Sequence, residues 1–275
     1  MLAWRKFTSR KQVEHWAERL TRFGPERLVI TETERCIRLE LFDVTEAETA
    51  LLRRQFGGAV RDLATSNADW ARAVVQKKPI AIRDCLQIFN VEPAPGPARQ
   101  DNRALYIPAG MAFGTGDHAT TATCLRLFCD LRPRRRAWSS LDLGCGTGIL
   151  TLAAARLGAD PAEGIDCDPV AVRIATENAR LNQLPQARFY EGDILQAAPR
   201  SRHEVVFANI YSDILVRAAT QVWATVAPAG LLLASGILRE QVGEVSAPFS
   251  AQGAQTRCIR LKGKWATLAF TKEAL

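Results

Sequence analysis

The run Leu141-Asp142-Leu143-Gly144-Cys145-Gly146-Thr147-Gly148 precedes a helical pattern over 149–157 and a stop at Gly158. Glycines so placed let a chain turn sharply and bring its backbone against a ligand at a helix N-terminus. The spacing is Gly-x-Gly-x-Gly, one residue short of the dinucleotide fingerprint. Asp166 lies 22 residues past Gly144, closing the predicted strand Ala162–Ile165. An acid there can accept both hydroxyl hydrogens of a ribose. Its other reading, a helix N-cap, belongs better to Asp168, which Pro169 follows. After a third strand comes Gly192-Asp193, where Asp193 is either an adenine-side acid or a turn residue. A fourth strand, Glu204–Ala208, ends in Asn209-Ile210-Tyr211. Asn209 is a common strand-ending turn residue. In this series it would also lie beside the first-strand glycines, where open parallel sheets bind ligands. A shortened glycine triplet with acids on the first and second strands describes an S-adenosylmethionine site better than a nicotinamide site.

The elements that must position these residues follow from periodicity. From Thr120 onward, strand and helix patterns alternate, as in a parallel sheet covered on both faces. Earlier, Val13, Trp16, Ala17, Leu20 and Phe23 mark one face of a helix over 10–23. Strands are predicted at 4–8, 28–34, 36–42 and 59–64, and a second helix at 46–56, stopped by Gly57-Gly58. Their order, β-α-β-β-α-β, is the ferredoxin-like split arrangement. We therefore expect a small α+β domain at 1–65, a polar linker at 66–80 and an α/β domain at 81–275. Two strands, 81–90 and 103–107, should flank the loop Pro93-Ala94-Pro95-Gly96-Pro97. Of 275 residues, 47% are hydrophobic and 24% charged, a globular composition. No apolar run approaches the ~20 residues that span a bilayer. Seven cysteines without a Cys-x-x-Cys pair suit neither a disulfide framework nor a metal site. A soluble cytoplasmic protein is the expectation. The net charge of +7 is spread over both parts of the chain, and the one dense cluster, Arg132-Pro133-Arg134-Arg135-Arg136, reads as a solvated loop. Direct nucleic-acid binding is not expected.

One block remains, Met111-Ala112-Phe113-Gly114-Thr115-Gly116-Asp117-His118-Ala119-Thr120-Thr121. It reads as a glycine loop and N-cap for the helix bearing Cys124, Leu125, Leu127, Phe128 and Leu131. Phe113-Gly114-Thr115-Gly116 with His118 and Thr120-Thr121, the Asp142 glycine run, Gly164-Ile165-Asp166-x-Asp168-Pro169, Ala208-Asn209-Ile210-Tyr211 and Ser235-Gly236-Ile237-Leu238 together resemble the ribosomal protein L-eleven methyltransferase family. The resemblance is strong over 103–240, extends more weakly to Trp70 and Lys78-Pro79-Ile80, and covers 1–65 in inferred topology. It implies a Rossmann-like class I methyltransferase sheet behind the ferredoxin-like domain, with S-adenosylmethionine as cofactor and no metal. Cofactor contacts are implied for Thr121, Gly144, Gly146, Asp166 and Asn209. The implied activity is methyl transfer to amino groups of ribosomal protein L-eleven, lysine side chains or the N-terminal amine, which the first domain presents. Asp117 and Ala119 stand where family members commonly carry Thr and Pro.

Such a transfer is an in-line displacement that needs a neutral amine, whereas free lysine has a pKa near ~10.4. Asn209, as the catalytic candidate, and nearby carbonyls would orient that amine, with Tyr211 in the pocket wall. His118, with an unperturbed pKa near ~6.5, is either a general base or a cap residue that shapes the site. His15 and His203 are expected at the surface. Two alternatives are a methyltransferase of a different protein lysine and a non-catalytic ribosome-assembly or RNA-binding factor retaining the fold. Asn-Pro-Pro-Tyr, the motif of glutamine and adenine amino methyltransferases, is absent.

Overall fold

The computed structural model of the chain describes residues 2–9, 12–24, 27–32, 36–62, 79–91, 101–108, 114–135, 137–196 and 201–273. They form two units, Met1–Gln76 and Lys77–Leu275. The linker expected at 66–80 lies outside the described residues as far as Lys78, as does the Pro-rich loop at 93–97.

The first unit runs β1 (Leu2–Thr8), α1 (Val13–Leu20), β2 (Leu28–Glu32), β3 (Ile37–Val44), α2 (Glu46–Phe56) and β4 (Ala59–Asp62). A 3₁₀ turn at Thr21–Phe23 takes the last part of the helix expected over 10–23. The sheet order is β2-β3-β1-β4 with every pair antiparallel, which is the ferredoxin-like arrangement. Ile37, Leu39 and Leu41 alternate into a core with Trp4, Leu20, Leu52 and Phe56. α2 starts where a capping box satisfies two orphan N–H groups. The Glu48 N–H donates to Thr45 Oγ1 at 3.2 Å, and the Thr45 N–H donates to Glu48 Oε2 at 2.8 Å. The Arg27 guanidinium, aided by the bond from the Thr45 N–H, holds the Glu48 carboxyl down at about 2.

The second unit opens with β5 (Ile80–Ile82), β6 (Leu86–Phe89) and β7 (Ala104–Tyr106), a small three-stranded sheet. The single strand expected over 81–90 is thus a hairpin. Arg83 turns at φ +52° and is held there by paired bonds to Asp130, at 3.0 and 2.7 Å. Next come α3 (Ala119–Leu131), β8 (Ser140–Leu143), α4 (Ile149–Arg156), β9 (Ala162–Asp166), α5 (Pro169–Leu181), β10 (Ala187–Glu191) and β11 (His203–Asn209). The chain ends in α6 (Ser212–Arg217), α7 (Ala219–Ala224), β12 (Val226–Leu238), α8 (Val242–Ser250), β13 (Gln255–Lys262) and β14 (Trp265–Thr271).

Seven strands lie in the order β10-β9-β8-β11-β12-β14-β13. The first five are mutually parallel, and β14 runs antiparallel to both its neighbours. Helices cover both faces, so the central strands bury both sets of side chains. Val205 and Phe207 enter one core with α3 and α4, while Val206 and Ala208 enter the other with α6, α7 and α8. Continuous apolar runs such as Leu231-Leu232-Leu233-Ala234 follow from burial on two sides. From β8 the chain builds outward through β9 and β10, then returns to β11 on the other side of β8. That reversal opens a crevice at the carboxyl ends of β8 and β11.

Candidate active site

The glycine run leaves β8 as a tight turn. The Gly144 and Cys145 N–H groups donate to Ile165 O at 2.8 and 3.0 Å, and Gly148 N–H donates to Cys145 O at 2.8 Å before α4 begins. Gly144 needs its missing side chain twice over: its φ is +75°, and a Cβ would overlap Ile210 Cγ2. The turn sends the Gly146 N–H onto Asp166 Oδ2 at 2.8 Å. Asp166 Oδ1 accepts the Asp168 N–H at 3.0 Å, and Asp168 itself caps α5 by accepting the Val170 N–H at 2.8 Å. Two backbone donors therefore orient the Asp166 carboxylate while each oxygen keeps a further acceptor position.

Gly144 and Asp166 line one cavity of about 220 Å³. Its walls are Leu143, Ile165, Ile194, Leu195, Ile210 and Ile214, with Cys167, Gly192 and Asp193 along the rim. Asp193 lines the cavity, and it stabilises its own turn by accepting from Leu195 N–H (2.9 Å) and Gln196 Nε2 (3.1 Å). A wider hollow of about 490 Å³, lined by Lys6, Phe7, Thr8, Ser9, Gln12, Trp16 and Cys36 in the first unit, contains no acid.

Asn209 closes β11 within reach of α3, where its Nδ2 donates to Thr121 Oγ1 at 3.4 Å. Its Oδ1 is buried and has no hydrogen-bond partner among the described residues. On neighbouring β8, Asp142 is buried as well. Its Oδ2 accepts from Thr151 Oγ1 at 3.2 Å, while Oδ1 has no partner. Burial pushes the Asp142 carboxyl up to about 7, with Thr151 opposing the shift. A buried acceptor left unmet costs about 1–3 kcal/mol, so a ligand that supplies donors or positive charge here is favoured.

His118 is the N-cap of α3: its Nδ1 meets Thr120 Oγ1 at 2.7 Å and accepts the Thr120 N–H at 3.4 Å. Its ring stands edge-on to Trp265, 5.2 Å away. Tyr211, expected in the pocket wall, is not among the cavity's lining residues and stands out in solvent. His203, expected at the surface, is buried with Nε2 against Ser201 Oγ (3.0 Å) and Glu163 (3.4 Å), and burial lowers its pKa. It opens a central strand opposite Val226, so flanking strands cover it. His15 is exposed, and Phe113 lies outside the described residues.

Sequence reasoning missed the residues that fix the loops. Asn178, buried on α5, donates to Thr147 O at 2.9 Å, and Thr147 Oγ1 donates to Gly114 O at 2.6 Å. Asn90 Nδ2 donates to Thr115 O, also at 2.6 Å. These bonds tie the cofactor turn to the Phe-Gly-Thr-Gly block. The available signal was an asparagine on the inner face of a helix, where such residues need a specific partner.

S-adenosylmethionine fits this arrangement. Asp166 keeps acceptor positions for a ribose diol, and the apolar walls suit a base. Thr121, Gly146 and Asn209 are not among the lining residues, but the unmet buried oxygens of Asp142 and Asn209, on the neighbouring strand ends, suit a cationic group. Among the described residues no group of His, Cys, Asp or Glu is placed to hold a metal, and no helix is long and apolar enough to cross a membrane.

Comparison with known proteins agrees with this geometry. The family model for ribosomal protein L11 methyltransferase (PrmA) matches residues 38–273. A ribosomal protein L11 methyltransferase of Pelobacter propionicus is 38% identical over 212 residues, covering 75% of this chain and 67% of the relative. One from Pelotomaculum thermopropionicum is 35% identical over 241 residues, covering 83% and 75%. The crystal structure of ribosomal protein L11 methylase from Lactobacillus delbrueckii subsp. bulgaricus superposes with a TM-score of 0.63 at 25% identity, over 72% of this chain and 100% of that one. The chain belongs to the ribosomal protein L11 methyltransferase family.

Proposed function

We propose that this enzyme transfers methyl groups from S-adenosylmethionine to amino groups of ribosomal protein L11, lysine side chains or the N-terminal amine. The observation that carries this reading is Asn209. Its acceptor oxygen is buried and has no partner among the described residues, and the next residue in the chain, Ile210, lines the cavity. The bound sulfonium supplies an electrophilic methyl group. Asp166 accepts from the ribose hydroxyls, Gly144 lets the cofactor pass close to the backbone, and Gly146 holds Asp166 in orientation. Thr121 fixes the Asn209 amide, so that Oδ1 faces the incoming amine and accepts its N–H. Accepting one N–H aims the amine lone pair, and exclusion of water favours the neutral amine over ammonium. His118 shapes the site as a cap. In this reading the second unit carries out the transfer and the ferredoxin-like domain at 1–65 presents the protein substrate, a division that the separation of the chain into two compact units supports. A soluble, cytoplasmic enzyme accords with the absence of a membrane-crossing helix among the described residues.

The test is incubation with labelled S-adenosylmethionine and ribosomal extract, then mass mapping of labelled proteins. Label on the amines of L11 is the expected result. Label confined to another protein refutes the substrate, and no label refutes the activity.

A further inference from the structure

Ile210 is gripped from two strands at once. Gly144, just after β8, leaves space for its side chain, and Gly236 within β12 leaves space for its backbone. A Cβ on Gly236 would overlap Ile210 O and come 2.9 Å from Ile210 C. Gly236 takes φ +83° where the pairing of β12 with β14 shifts register between Ala234 and Ile237. Such bulges re-aim the chain beside functional sites. This one belongs to Ser235-Gly236-Ile237-Leu238, a run to which the cofactor cavity assigns no role. Its packing holds the peptide that joins Asn209 to Tyr211, and the start of α6 holds Tyr211 from the other side.

Tyr211 is the outcome of that grip. It is 73% exposed, the most exposed of the large apolar side chains among the described residues, and no hydrogen bond or ring contact from those residues engages its ring. A single exposed aromatic needs no explanation by itself. This one differs because its backbone is fixed, and because it lies two residues from Asn209 and next to the cavity-lining Ile210. Asp213, exposed in the same turn, adds a negative charge beside it.

We propose that Tyr211 is a substrate-contacting residue, a fixed aromatic rail along which the aliphatic stem of the target lysine lies. The inference rests on the reading of the preceding subsection, with Asn209 meeting the amine. A lysine stem is apolar over four methylenes, and it has to be held straight for its nitrogen to reach the methyl group in line. A tyrosine on a rigid backbone offers a broad apolar face at small entropic cost. Asp213 suits a side chain that arrives as a cation and loses its proton only on entering the site.

The experiment compares wild type, Tyr211→Ala and Tyr211→Phe in steady-state transfer of label from S-adenosylmethionine to purified L11, with cofactor affinity measured separately by calorimetry. Tyr211→Ala is expected to lower kcat/KM for L11 by roughly 10-fold or more, chiefly through KM, and to leave cofactor affinity within about twofold. Tyr211→Phe, which keeps the ring, should stay within about threefold of wild type. The proposal is overturned if Tyr211→Ala keeps wild-type kcat/KM. It is equally overturned if cofactor affinity falls by the same factor as kcat/KM, since the residue would then merely support the cavity. Absence of transfer by wild type would sink the methyltransferase reading itself and this inference with it.

Discussion

Asp166→Ala tests the cofactor site most directly. In the folded protein the carboxylate accepts from the Gly146 and Asp168 N–H groups, and one acceptor position remains on each oxygen. A ribose diol would fill those two positions with charge-assisted bonds. Hydrogen bonds to a charged partner contribute about 1.5–3 kcal/mol, which corresponds to roughly a 10- to 150-fold rise in Kd for S-adenosylmethionine. The substitution also frees the Gly146 N–H, so a loss could arise from a loosened turn rather than a missing diol contact. A double-mutant cycle separates the two. S-adenosylhomocysteine and its 2′-deoxyribose analogue are titrated calorimetrically into wild type and variant at fixed salt, with thermal unfolding confirming the fold. Wild type should discriminate against the deoxy analogue, and Asp166→Ala should have lost most of that discrimination. Unchanged affinity in a folded variant, or equal discrimination by both proteins, refutes the ribose assignment.

Asn209→Ala should lower turnover by about 10²-fold while cofactor Kd moves far less, because its oxygen orients the amine; parallel losses in both would reduce Asn209 to a cofactor contact. His118→Ala removes an N-cap and should cost about 1 kcal/mol of stability in chemical denaturation, with a smaller kinetic effect than Asn209→Ala. A loss of turnover above ~10²-fold with cofactor still bound would instead mark His118 as a general base. Burial raises Asp142 from an ordinary carboxyl value to about 7, so the native state holds a proton that the unfolded chain releases. Its contribution is therefore complete below about pH 4 and is lost as pH rises to 7, a swing on the order of 4 kcal/mol. Asp142→Asn should gain stability relative to wild type between pH 4.5 and 8, and identical pH profiles would show that the carboxyl is not shifted upward. A fragment beginning at Asn67 retains both large cores intact and should bind S-adenosylmethionine with near-native affinity yet methylate L11 very poorly. Full-length rates from that fragment would remove the presenting role from residues 1–65.

Local signals in the chain were sufficient wherever one short segment decides its own conformation. α2 occupies 46–56, the expected range, because Thr45 and Glu48 satisfy its first N–H groups and Gly57-Gly58 cannot prolong it. Asp168 with Pro169 starts α5 and thereby leaves Asp166 available. A parallel sheet covered on both faces was implicit in alternating strand and helix, whereas its strand order and the antiparallel β14 were not. Spacing alone, however, did not distinguish cap from base at His118, or turn residue from ligand at Asp193. Both readings predict the same residue type at the same place.

Tertiary structure decided what depends on distant neighbours. His203 is buried because β8 and β12 flank the strand it opens, a fact absent from its own segment. Residues 80–89 make a hairpin because Ile82, Leu86 and Ile88 find the core of the assembled unit, and the Arg83 turn at φ +52° meets Asp130, 47 positions away. Gly236 must lack a side chain because Ile210, just past the end of β11, occupies that space, and the two residues meet only once the sheet is assembled. The unmet oxygens of Asp142 and Asn209 are likewise invisible in sequence. Whether a polar atom finds a partner depends on every element packed around it, and burial, unlike helix capping, is a property of the whole fold.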